Sequence, residues 1–120
     1  MTNEKVTRKF DLEERTAKFG ENIIEFSKKI RQTPITLPLL SQLIRSATSV
    51  GANYCEADDA ESKLDFRHKI GICKKESRES KHFIRTTVTA VPELKEKARK
   101  LWQEAKELNL IFNSIYKKVS

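Results

Sequence analysis

Residues 62–91, SKLDFRHKIGICKKESRESKHFIRTTVTAV, decide the fold. Within them Phe66, Ile70, Cys73, Ser77, Ser80, Ile84, Thr87 and Val91 recur at spacings that alternate four and three. That period lays a single seam along an α-helix and keeps it turned toward a neighbouring helix. Ser62, with Asp65 three residues on, has the form of a capping box and marks the helix start.

Working outward, the same alternation returns three times. Leu12, Thr16, Phe19, Ile23, Phe26 and Ile30 form a first seam, with a capping-box-like start at Asp11 and Glu14 and with Pro34 barring continuation. Leu40, Leu43, Ala47, Val50, Tyr54 and Ala57 form a second, on a helix expected from about Leu37 to Asp58 with Thr36 as its cap. Pro92 suits the first turn of a last helix, whose seam is Leu94, Ala98, Leu101, Ala105, Leu108, Phe112, Ile115 and Val119. Connections of a few residues make successive helices antiparallel neighbours. The predicted fold is all-α, an antiparallel up-down-up-down four-helix bundle over residues 11–120, preceded by a flexible N-terminal segment, 1–10.

Composition agrees with this reading. The chain has 120 residues, 34% of them charged, and only 3 Gly and 3 Pro, which disfavours disorder and turn-rich β folds. A domain of this length buries roughly two-thirds of its unfolded surface, enough for a core without metal or disulfide staples. No apolar run approaches the roughly 20 residues of a membrane span, and Met1 to Lys9 lacks the apolar core of a secretory signal, so a cytoplasmic location is expected.

The net charge is +7, and its distribution is uneven. Residues 1–60 hold nine basic and nine acidic side chains, residues 61–120 fifteen and eight. On the third helix Arg67, Lys74, Lys75, Arg78, Lys81 and Arg85 fall on outward positions, a ladder about 27 Å long at 1.5 Å rise per residue. Such a ladder could neutralise a nucleic-acid backbone without reading bases, or simply solvate a helix face. Glu76 and Glu79 interrupt it and are expected to absorb part of its charge through pairs one turn apart.

Ser46 to Asn53 is a run of small residues in mid-helix, with Gly51 costing about 1 kcal/mol relative to Ala. Close approach by another helix would repay that, either inside the monomer or between subunits. Gly51 and Ala52 lie beside the seam, as do Ile72, Phe83, Trp102, Leu110, Ile111 and Tyr116. Ser49, Gly51, Ala52, Ile72, Phe83, Trp102 and Tyr116 are therefore the expected oligomer interface.

Chemistry-bearing constellations are sparse. Asp65-x-x-His68 and Glu79-x-x-His82 have the spacing of carboxylate–histidine pairs in diiron bundles, but both face away from the seam, so neither metal nor cofactor is expected. Cys55 and Cys73 flank one turn at unequal distances and read as reduced thiols. There is no G-x-S-x-G elbow and no glycine loop for phosphate, so no enzyme is expected.

Ser49-Val50-Gly51-Ala52-Asn53-Tyr54-Cys55-Glu56-Ala57, then Asp65-Phe66, Lys69, Ile72, Glu76 and Glu79, resembles the bacterial four-helix-bundle proteins encoded in intervening sequences of 23S ribosomal RNA genes. The resemblance extends from about Asp11 to Tyr116 and carries no catalytic residues. That family is itself similar to the accessory variability determinant of diversity-generating retroelements, a basic bundle that forms a pentameric ring and binds nucleic acid and a reverse transcriptase. The resemblance therefore implies a homo-oligomer, a pentamer, with RNA or DNA as partner. It implies alternatively a scaffold presenting helices to a nucleic-acid enzyme such as a reverse transcriptase. Glu56, Asp65, Lys69, Glu76 and Glu79 would be structural polar contacts between helices or subunits.

Overall fold

Each seam becomes one helix. The computed structural model describes residues 4–119, with side chains from Leu12 onward. Helix α1 spans Glu4–Lys28, α2 Thr36–Asp58, α3 Lys63–Ala90 and α4 Lys95–Lys118, with a single 3-10 turn, Pro92–Leu94, leading into α4. No strand occurs among the described residues.

Three boundaries carry information. Ser62 caps α3 as expected, its hydroxyl accepting the Asp65 N–H at 3.0 Å. At the start of α2 the capping role belongs to Thr33 rather than Thr36: the Thr33 hydroxyl accepts the N–H of Thr36 at 3.0 Å and that of Ile35 at 3.2 Å. Thr36 instead lies inside the helix and donates to the Arg31 carbonyl at 2.6 Å, folding the loop back on itself. Helix α1 is already helical at Glu4, ahead of the start read at Asp11, since nothing between Glu4 and Phe10 is Gly or Pro. The side chains of the segment 1–10, expected to be flexible, lie outside the described residues.

Contacts run in opposite senses along neighbouring helices. Between α1 and α2, a Cβ on Gly20 would stand 3.5 Å from Thr48 Cα, and one on Gly51 3.4 Å from the Thr16 carbonyl oxygen. Between α2 and α3, Ser46 meets Ser80, the Cys73 thiol donates to the Val50 carbonyl, and Glu56 meets Lys69. Between α3 and α4, Arg67 meets Tyr116, Lys74 meets Asn109 and Lys81 meets Trp102. Arg15 of α1 pairs with Glu104 of α4 at 2.8 Å, which closes the four helices into a bundle.

The core lies where the seams converge. Phe19, Ile23, Leu43, Val50, Ile70, Ile84, Leu108 and Phe112 are essentially inaccessible, each burial favouring the fold by about 1.5–3 kcal/mol before ordering entropy is counted. Ser77 and Ser80 are buried on the α3 seam. Their small size lets helices approach: the Ser80 hydroxyl sits 3.0 Å from that of Ser46 and 2.9 Å from the Glu76 carbonyl oxygen. Asn109 of α4 donates to the Lys74 carbonyl at 2.8 Å over the same stretch. The thin middle of α3 is thus a polar inter-helix contact, and every buried hydroxyl there has a partner.

Candidate nucleic-acid interface

Helical spacing sorts the α3 cations into two lines. Arg67, Lys74 and Lys81 follow one another at seven-residue intervals along the border with α4, while Lys75, Arg78 and Arg85 stand further out and are exposed. The border cations lean on aromatic rings. The Arg67 guanidinium stacks 3.8 Å from the Tyr116 ring centroid and donates through Nη1 to the Tyr116 hydroxyl at 3.0 Å. Lys74 lies 5.0 Å from the same ring, and Lys81 lies 5.4 Å from that of Trp102. Lys106, on α4, approaches Trp102 at 5.6 Å. Gly71 makes this possible, since a Cβ there would stand 3.1 Å from Tyr116 Cε2 and push the ring away from α3.

Among the described residues none of the six ladder cations pairs with a carboxylate. The expected neutralisation by Glu76 and Glu79 does not occur. Both turn to Arg45 on α2, whose Nη1 reaches Glu76 at 2.9 Å and whose Nη2 reaches Glu79 at 2.6 Å. Glu76 is moreover buried rather than outward. Those carboxylates hold the Arg45 guanidinium in its charged form, raising its pKa. Lys69 pairs with Glu56 at 3.0 Å, so the contacts of Glu56, Lys69, Glu76 and Glu79 join helices of one chain. A groove of roughly 650 Å³ opens along the ladder, with Lys74, Lys75 and Arg78 on its wall and Phe83 and Tyr116 in it.

The seven residues expected at an oligomer interface do not gather on one surface. Gly51 turns toward α1, where a Cβ would meet the Thr16 backbone at 3.4 Å, an ordinary contact inside the monomer. Ser49 accepts a hydrogen bond from Asn53 Nδ2 at 2.9 Å. Ala52 is exposed in a second groove, of roughly 680 Å³, between α1 and α2. Ala17, Gly20, Thr48, Gly51 and Cys55 line that groove, and Glu13, Glu14 and Glu21 give it an acidic rim. Phe83, Trp102 and Tyr116 pack their inner edges on the core and belong to the basic face, and Ile72 is half-buried on α3.

Other reactive groups are quiet. Burial pushes the Cys73 thiol up to about 12, while Cys55 is exposed, and the two are free. Among the described residues no group of three or more His, Cys, Asp or Glu is placed to hold a metal ion, and His68 and His82 are exposed. None of the described helices is long and apolar enough to cross a membrane. Sequence reasoning missed Arg45, Gly71 and Lys106, whose roles depend on neighbouring helices and leave no local pattern.

Comparison with known proteins agrees with the architecture. A crystal structure of a protein of unknown function from the S23 ribosomal protein family of Bacteroides thetaiotaomicron superposes with a TM-score of 0.78 at 25% identity, covering 88% of this chain and 98% of that one. No curated protein matches the chain. The model of the 23S rRNA-intervening sequence protein family matches residues 8–114, most of the bundle, and the chain belongs to that family.

Proposed function

We propose that the protein is a non-enzymatic, cytoplasmic, homo-oligomeric bundle that binds the phosphate backbone of RNA or DNA through the α3/α4 face. One observation carries this reading: six cations follow one helix, and none of them pairs with a carboxylate among the described residues. Unneutralised cations gain most from phosphates, because each contact releases a condensed counterion. The small-residue groove around Ala52 supplies a separate surface for self-association, and the family resemblance points to five copies. Repeating the strip around an assembly would raise a weak electrostatic affinity through effective concentration.

Light scattering behind size exclusion, at low and high salt with and without ribosomal RNA fragments, tests this. An assembly near five times 13.9 kDa that takes up RNA at low salt and releases it at high salt is the expected outcome. The Ala52 groove also favours a second reading, a scaffold that seats a helix of a nucleic-acid enzyme. Co-purification of such a partner through nuclease treatment and high salt, with no RNA uptake, would move the assignment there.

A further inference from the structure

The ladder alone does not distinguish a single strand from a duplex, since both present phosphates. Trp102, the chain's single tryptophan, separates them. It is partly exposed on α4, beside a recess of roughly 300 Å³ whose rim carries Arg85, Lys95 and Arg99. The two aromatic rings that touch the ladder are covered differently. Tyr116 is closed by a guanidinium stacked at 3.8 Å and hydrogen-bonded to its hydroxyl. Among the described residues Trp102 is overhung by the ammonium groups of Lys81 and Lys106, at 5.4 and 5.6 Å, near the outer limit of a cation–π contact. Both are tips of flexible side chains that an arriving phosphate would draw off the indole.

We infer that the α3/α4 face takes a single-stranded segment of nucleic acid, with phosphates along Lys74, Lys81 and Arg85 and one base stacked on Trp102. This rests on the nucleic-acid reading above and narrows it. Lys74, Lys81 and Arg85 follow one another at seven and four residues, about 10 and 6 Å along the helix axis, so a strand following them passes the Trp102 recess at the Arg85 end. A base inside a duplex has both faces occupied by its neighbours and cannot reach the ring; only a terminal pair leaves one face open. Stacking is tolerant of sequence because every base has a π-face, so the preference is for strandedness rather than sequence.

The test uses the intact protein with a single-stranded oligonucleotide of about ten nucleotides, a length within the site sizes of single-strand grooves, and with a duplex of equal length. The single strand should quench Trp102 fluorescence and bind more tightly than the duplex at equal salt. Trp102→Leu should lower single-strand affinity about tenfold, the factor expected of one stacked base, and leave duplex affinity unchanged. Trp102→Phe keeps an aromatic ring on the core and should retain part of the preference, which covers the case in which the leucine variant misfolds. Equal binding of the two forms, or binding without quenching, overturns the stacking inference while leaving the backbone reading in place. Absence of binding to either form at low salt removes both.

Discussion

The Glu76 carboxylate on α3 is almost wholly buried, with a side-chain exposure of 6%, and is held at 2.9 Å by Arg45 on α2, whose own side chain is 49% exposed. A charge bound from the core side and answered from the solvent side lets α2 and α3 fix their register without burying a complete ion pair. The Ser46–Ser80 contact one turn away would fit several registers; the buried Glu76 carboxylate is answered only in the one that places Arg45 over it.

Removing Arg45 should therefore cost more than removing its outer partner. Arg45→Ala leaves Glu76 buried without its cation, and should destabilise the bundle by about 1–3 kcal/mol, less than for a fully buried pair because water reaches the vacated side. Glu79→Gln, at the exposed end of the same guanidinium, should cost less than about 1 kcal/mol. Urea unfolding of the two variants compares them directly, and equal losses would contradict the register role.

The two lines of cations should separate binding from stability. Replacing the outer Lys75, Arg78 and Arg85 with Gln should leave the melting temperature unchanged while flattening the dependence of log affinity on log salt by roughly 0.7–0.9 per lost phosphate contact. Arg67→Gln should lower the melting temperature, because it removes the guanidinium stacked on Tyr116 and the hydrogen bond to that hydroxyl. Salt titrations alongside thermal melts of both sets give the comparison, and an unchanged salt slope in the triple variant would refute Lys75, Arg78 and Arg85 as phosphate contacts.

How much of this was legible in the sequence depends on the range of the interaction that decides it. The seams were readable because burial repeats with the helix: Ile70, Cys73, Ser77, Ser80, Ile84 and Thr87 are buried at the spacings that predicted them. Ser62 was readable because a cap acts within one turn. Thr36 was misread because two threonines, Thr33 and Thr36, compete for the same backbone N–H groups and only the loop's path decides between them. The cations could be placed on α3, but not their pairing. That Glu76 and Glu79 turn to Arg45, 31 and 34 residues away, is settled by helix packing. Gly51 shows the same limit, since only the packed helices reveal that it faces the Thr16 backbone of α1.

Stability should fall in alkaline solution. Burial raises the Cys73 thiol from 9.0 to about 12, and burial with the nearby Asp58 and Glu13 charges raises the Tyr54 phenol from 10.0 to about 12. Both acids stay neutral in the folded chain at pH values where the unfolded chain has released its protons. The linkage term is thus absent below about pH 9 and grows unfavourable up to about pH 12. Cys73→Ala should be less stable at neutral pH through its lost packing, yet should lose less stability between pH 9 and 10 than the parent does. Denaturant midpoints across that interval measure it; parallel curves would show that Cys73 is not the titrating group.

Ala52 gives the sharpest handle on self-association. It is exposed on α2, in a groove lined by Ala17, Gly20, Gly51 and Ile24, whose rim holds Glu13, Glu14 and Glu21. The monomer needs no alanine there for its own packing, so Ala52→Glu should leave the circular dichroism and melting temperature unchanged. In an assembly the same carboxylate would be buried in a small-residue contact beside three like charges, an expensive position for an unpaired ion. Light scattering should therefore show the parent as an oligomer and Ala52→Glu at the 13.9 kDa monomer mass, with Ser41→Glu, exposed elsewhere on α2, assembling normally. A ring requires that this groove meet a different surface of the next copy, since a patch that met only itself would stop at a dimer. An Ala52→Glu protein that still assembles would place the contact on another face, and a monomeric parent would leave the groove to a different partner.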